Sequence, residues 1–282
     1  MGFGGGRGRA MEDTRAGSVG WTAMDAMGRR VDDAVEQRRA DDVVARRRAD
    51  ELITYYDDAT GERVGLTSAE LGGWSAAVAS LLTNECGLRA GDRAGVLLPP
   101  HWQTAAVLLG AWSVGLQVSF RGWSTAGLVD GGPALDVTFV EQRRVGSWLD
   151  EVPSASHQFV LGLGADGAPA ADVPPDHRDF VPAVRAHLGA EPPRHRAGFS
   201  AAATPDGTTF GEYGATAAEV ARSRGLVRGD RVLIETGVSE QPLIWLLAPL
   251  TVGASIVLCA NPDRSRLDER VRVEGVTRVF SV

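Results

Sequence analysis

The chain has 282 residues, 44% of them apolar, and a mean hydropathy near zero, so it is long enough to bury a sizeable core and has the composition of a globular protein. Its net charge of −7 excludes a nucleic-acid partner, because such affinity is built from cationic side chains neutralising phosphates. All 29 basic residues are arginine; without a lysine the chain cannot by itself perform Schiff-base, Walker-type or lysine-assisted ligase chemistry.

Residues 1–50 stand apart. MGFGGGRGRA is rich in Gly and Arg, and RRVDDAVEQRRADDVVARRRAD alternates basic and acidic pairs in the manner of a solvated helix. All four methionines fall in this stretch, so a start at a later one removes the glycine-rich head. A charged extension, helical or disordered, is expected there, followed by one α/β domain over 51–282 with subunits at about 51–165 and 199–282 and a loop-rich connection at 166–198.

From residue 51 the chain is patterned. Thr67-x-x-Glu70 is a capping box, and Leu71, Trp74, Val78 and Leu81 behind it form one apolar helix face. GLRAGDR (87–93) leads into a short apolar run, a corner at PPHWQ, a helix closed by Gly115 and a second apolar run, LQVSF. That order is strand, helix, strand, with parallel strands and a right-handed crossover. Further strands are expected at DVTFV (136–140) and QFVLGLG (158–164), with helices at RVGSWLDEV and DFVPAVRAHL. GAPAADVPPD and GAEPPRHRAG read as loops.

The pattern then returns. GLVRGDR begins at 225 where GLRAGDR began at 87, an offset of 138 that also maps Gln103 on Gln241, Leu108 on Leu246, Leu109 on Leu247, Val114 on Val252 and Gly115 on Gly253. A second capping box, Thr209-x-x-Glu212, opens this copy, whose first helix is about one turn shorter. The fold class is therefore α/β, with two related βαβ-containing halves and mostly parallel sheets.

Other motifs fail on context. GLGADG (162–167) follows a strand, but Ala168-Pro169 stands where a dinucleotide site needs a helix N-terminus, so it reads as a surface turn. GFGGGRGR has no preceding strand, and GWSTA (122–126) lacks the final glycine of a nucleophile elbow. The five histidines show no metal-ligand spacing, so no metal site is expected. Cys86 and Cys259 lie far apart and read as reduced thiols. The longest apolar runs are too short for a membrane span, and the amino terminus lacks the apolar core of a secretory signal; a cytoplasmic protein without membrane contact is expected. His101 and Thr236 are cleft-edge candidates, because each sits where a strand hands over to a helix and ligands of open α/β sheets gather there.

YYDDATGERVGLTSAELGGWSAAVASLLTNECGLRAGDRAGVLLPPHWQTAAVLLGAWSVGLQVS resembles the opening of the large domain of adenylate-forming enzymes, the acyl-CoA synthetase and AMP-ligase superfamily. GLVRGDRVLIETGVSEQPLIWLLAPLTVGASIVLC resembles the segment after that family's phosphate loop, and GVTRVFSV the strand that follows. YYDDATGERV with LPPHWQTAAVLLGAW looks like a short actinobacterial group within the superfamily. The resemblance spans about 51–282 and only the first half of a full-length enzyme.

What the resemblance implies is the fold of the N-terminal domain of those enzymes and ATP-dependent activation of a carboxylate, with ATP or AMP as ligand. The family's phosphate loop, Thr-Ser-Gly-Thr-Thr-Gly-x-Pro-Lys-Gly, falls on FSAAATPDG: Ser200 and Thr204 match hydroxyl positions and Gly207 the last glycine, with Thr208 and Thr209 following. The lysine and the other glycines are replaced, so the loop is expected to be degenerate. The family's adenine-, magnesium- and ribose-binding segments and its catalytic lysine have no counterpart before Val282. The expected function is a truncated, non-catalytic pseudoenzyme acting as a binding or regulatory module, with a protein partner or a second copy. The alternative is half of an AMP-forming carboxylate-CoA ligase completed by a partner chain.

Overall fold

The computed structural model describes residues 50–122, 134–145, 147, 152–164, 166–191 and 197–280. The charged extension before residue 50, most of GWSTA, His195 and most of the helix expected at RVGSWLDEV lie outside the described residues. The other expected elements are present: the strands are β1 (Glu51–Asp57), β2 (Glu62–Thr67), β3 (Arg93–Leu97), β4 (Gln117–Phe120), β5 (Leu135–Glu141), β6 (Ala155–Leu161), β7 (Arg178–Asp179), β8 (Arg231–Glu235), β9 (Ser255–Ala260) and β10 (Arg278–Phe280). The helices are α1 (Ser68–Ser80), α2 (Trp102–Val114), α3 (Phe180–Arg185), α4 (Phe210–Ser223), α5 (Ala248–Val252) and α6 (Leu267–Val273).

They form two five-stranded sheets, in the orders β10-β8-β9-β1-β2 and β4-β3-β5-β6-β7. Every pairing is parallel except the β1–β2 hairpin. The hairpin, which the expected division places with the first subunit, is hydrogen-bonded through β1 to β9 and so belongs to the sheet of the second copy. The connection also carries a strand and a helix, β7 and α3.

The repeat is exact in its bonding. Arg93 pairs with Gln117 across β3 and β4, and 138 residues on Arg231 pairs with Ser255 across β8 and β9. In the two Gly-Asp-Arg turns, Asp92 accepts from Arg89 N–H at 2.9 Å and Asp230 from Val227 N–H at 2.8 Å. Gly91 and Gly229, at φ +96° and +90°, occupy backbone conformations that disfavour side chains. Both capping boxes form, at Thr67/Glu70 and Thr209/Glu212. The extra turn of the first copy is a π-helical stretch, Leu81–Glu85, that continues α1.

β8 is buried along its whole length, because Val232 and Ile234 face the main core while Leu233 faces a smaller cluster with Leu267 and Val271 of α6. α2 is buried on every side and touches both β1 and β4, as a helix apolar all round requires. The close packing of α1 on α2 depends on Gly110: a Cβ there would lie 2.6 Å from Val78 Cγ1 and 2.9 Å from the Ser75 carbonyl oxygen. Gly110→Val is expected to cost about 1–3 kcal/mol through overpacking, read as a lower midpoint of urea unfolding. An unchanged midpoint would mean that the helices have room to spare. Among the described residues no helix is long and apolar enough to cross a membrane.

Candidate functional site

Residues 198–209 form a self-closed loop running into α4. The Ala203 N–H donates to Thr208 O at 2.8 Å, Gly207 to Thr204 O at 3.1 Å, Phe210 to Ala201 O at 2.9 Å and Gly211 to Phe199 O at 3.0 Å. At the helix start Thr209 N–H donates to the Glu212 carboxylate at 2.9 Å, and Glu212 N–H to Thr209 Oγ1 at 3.2 Å. The first-turn amides that a phosphate would claim are thus already satisfied.

At the centre sits Asp206. Its Oδ1 accepts from Thr204 Oγ1 at 2.5 Å and from Thr208 N–H at 3.0 Å. The Thr204 hydroxyl, and then the Thr208 amide, hold its carboxyl below the ordinary range, so the loop carries a fixed negative charge. Where a phosphate-binding nest turns its amides toward an anion, here one amide, that of Thr208, meets the chain's own carboxylate and the others named bond to backbone carbonyls.

The alanines have a structural reason. Ala203 is fully buried in the main core, Ala201 packs against it, and Ala203 O accepts from Val118 N–H at 2.8 Å. The loop covers the outer edge of β4, where small apolar side chains fit and a mobile glycine cradle would not.

Of the residues singled out in the sequence, Thr204, Gly207, Thr208 and Thr209 meet in this one turn, with Gly207 at φ +90°. Ser200 is exposed in the preceding turn, where Ala201 N–H donates to Gly198 O at 3.0 Å. His101 and Thr236 lie elsewhere; among the described residues neither hydrogen-bonds to the loop.

His101 caps α2, its Nδ1 accepting from Gln103 N–H at 3.1 Å, and its ring meets Tyr55 edge-on with centroids 4.3 Å apart. Only 1% of it is exposed, and burial pushes its pKa down to about 3. The imidazole is therefore neutral at physiological pH, with Nε2–H buried and without a hydrogen-bond partner among the described residues. It is a capping and packing residue rather than the rim of an open cleft. Thr236 follows β8 directly, and its N–H donates to Cys259 O at 2.9 Å.

Asp206 is not among the residues the sequence motifs single out, although Thr-Pro-Asp-Gly is a turn signature for a carboxylate bonding its own backbone. Among the described residues no group of three or more His, Cys, Asp or Glu side chains could hold a metal ion. Among the described residues the hydrogen bonds of this turn bring no arginine to Asp206, and the first-turn amides of α4 are already taken, so a transferring phosphoryl group would find little there to meet its charge.

No protein-family model matches the chain. It is 37% identical over 233 residues to a TIGR03089 family protein of Mycobacterium tuberculosis (strain ATCC 25618 / H37Rv), a match covering 81% of this chain and 90% of the relative. Among solved structures it is similar to the acetoacetyl-CoA synthetase of Streptomyces lividans, with a TM-score of 0.64 and 20% identity over 94% of this chain and 42% of that one. A Mycobacterium tuberculosis fatty acyl CoA synthetase gives 0.62 and 16% over 93% and 48%, and the N-terminal domain of FACL13 from the same organism 0.60 and 17% over 94% and 62%. The chain thus spans about half the length of these solved proteins, and the likeness is one of fold.

Proposed function

The chain belongs to the TIGR03089 family and has the fold of the N-terminal part of the acyl-CoA synthetases, and from that premise we propose that it is a non-catalytic module of the fold, forming no acyl-adenylate by itself. The observation that carries this reading is the loop at 198–209, which closes on its own carbonyls and, through the Thr208 amide, on Asp206, where its relatives by resemblance carry a lysine. Activating a carboxylate with ATP builds negative charge on the reacting phosphate, and such charge is met by cations and free donors worth several kcal/mol. An internal carboxylate acts in the opposite sense. The module's role is then binding or regulation, with at most a residual nucleotide or acyl cleft. The buried, unpaired thiols of Cys86 and Cys259 support a reducing compartment such as the cytoplasm.

The test is pyrophosphate release by the purified chain with ATP, magnesium and a panel of carboxylic acids. No carboxylate-dependent release is expected. Robust release by the chain alone would overturn the reading.

A second reading, half of an AMP-forming carboxylate-CoA ligase completed by another chain, is favoured by the edge of the first sheet. β10 pairs only with β8 among the described residues, and Val279 on it is exposed. On that reading the same assay gives release only once the completing chain is added.

A further inference from the structure

Where the π-helical end of α1 meets the turn after α3, three side chains form a continuous line of hydrogen bonds. Ser80 Oγ lies 2.9 Å from His187 Nδ1, and His187 Nε2 lies 2.9 Å from Glu85 Oε2. Arg178 pairs with Glu85 as well. The hydrogen bond from His187, and then that from Arg178, keeps the Glu85 carboxyl below its ordinary range, so it is a carboxylate at neutral pH. A carboxylate can only accept, which places the proton of the neutral imidazole on Nε2 and leaves the Nδ1 lone pair facing the serine hydroxyl.

A serine, a histidine that can take its proton and a carboxylate that fixes the histidine's tautomer are the parts of an activated nucleophile. The nitrogens are exchanged relative to the serine proteases, but the chemistry needs only that one faces the hydroxyl and the other the carboxylate. Asn84 Nδ2 donates to Ser80 Oγ at 3.0 Å and holds the hydroxyl oxygen beside the imidazole. Ser80, Asn84 and Glu85 come together because the helix widens at Leu81–Glu85, and π-helical turns are frequent at functional sites. The Glu85 side chain is 41% exposed and that of His187 16%, whereas Ser80 is 8% exposed, so the line runs inward from the surface to a buried hydroxyl.

We propose that Ser80, His187 and Glu85 form a second site, an activated serine that accepts the acyl group of small carboxylic esters. Ser80 Oγ attacks the carbonyl carbon as its proton passes to His187 Nδ1. The bond to the leaving alcohol breaks, and the alcohol departs with that proton. A water molecule, giving a proton to the same nitrogen, then attacks the acyl-serine ester and releases the carboxylic acid, restoring the hydroxyl. The sum is ester plus water to acid plus alcohol, and it requires neither ATP nor a thiol, so it stands or falls independently of the function proposed above.

The experiment is labelling of the full chain with a small alkyl fluorophosphonate, with the adduct mapped by peptide mass spectrometry and hydrolysis of p-nitrophenyl acetate followed in parallel. One adduct per chain on Ser80 is expected, together with saturable ester hydrolysis. Ser80→Ala should lose both, and His187→Gln should label about 100-fold more slowly or worse, the loss of a general base. Absence of an adduct on Ser80 in the folded wild type, an adduct mapped elsewhere, or equal labelling of His187→Gln would each overturn the proposal. Circular dichroism checks folding; should Ser80→Ala not fold, the mapped wild-type adduct and the His187→Gln rate decide.

Discussion

Glu274→Ala is expected to destabilise the fold by about 3–5 kcal/mol, the range for removing one partner of a buried ion pair. Glu274 is fully buried at the end of α6 and accepts from Tyr56 Oη at 2.6 Å, from Arg231 at 2.7 Å and from Arg63 at 3.1 and 3.2 Å. Arg63 and Arg231 also meet Glu51, at 2.6 and 3.7 Å. Two arginines and two glutamates thus neutralise one another between the β1–β2 hairpin and the α6 side of the first sheet. Without Glu274 the Arg231 guanidinium stays buried with half its counter-charge gone. Urea unfolding of the purified variant measures the loss; a cost below about 1 kcal/mol would mean that water already solvates the network.

The same group sets a pH dependence. Burial opposes ionisation of Glu274, but hydrogen bonds from Tyr56 and Arg231 and the charges of Arg63 and Arg231 outweigh it and hold the carboxyl below its ordinary value of 4.5. Asp58, bonded by Arg270 at 2.5 Å, is likewise held down. A depressed carboxyl stabilises the fold fully above its unfolded value and ceases to do so as pH falls through its folded one. Stability is therefore expected to decline in acid below about pH 4.5, and to decline less in Glu274→Ala than in the wild type.

Which of these features the sequence could reveal follows from their range along the chain. The capping boxes, the Gly-Asp-Arg turns and the apolar runs of β3, β4, β8 and β9 are local, and the 138-residue offset reproduced even the strand register. The place of β1 and β2 is not local. Glu51 and Thr54 are polar residues buried in a strand, and Arg231, 180 and 177 positions away, bonding to the Glu51 carbonyl at 3.0 Å and to Thr54 Oγ1 at 2.8 Å, joins Arg63 on the Glu51 carboxylate in making that tolerable. Gly65 belongs to the same contact, because a Cβ there would overlap the Glu51 carboxylate. In the candidate loop the missing lysine was visible in the letters; the inward turn of the amides was not, since it depends on Ala203 docking against β4.

That docking leads to the second large effect, expected at Trp245. Trp245 is fully buried, the largest such side chain among the described residues, on the π-helical turn Leu243–Leu247 before α5. α4 packs on that turn and on α5, so the indole supports the helix that the loop at 198–209 leads into. Its Nε1–H donates to Glu240 O at 3.2 Å, and Glu240 in turn reaches Gly122 beyond β4, where a Cβ would overlap its carboxylate. Trp245→Ala should cost about 3–5 kcal/mol, the transfer and cavity terms of a large aromatic, and Trp245→Phe less, losing chiefly the hydrogen bond, for about 1–3 kcal/mol. Hydrogen exchange separates a local role from a global one. If Trp245 holds the loop closed, the amides of Ala203 and Phe210 in Trp245→Phe should lose protection before those of β5 and β6, which lie further inside the sheet whose edge the loop covers. Equal loss across both sheets would instead make Trp245 a core residue with no particular hold on the loop, and the closure would then rest on Asp206 and the edge of β4 alone.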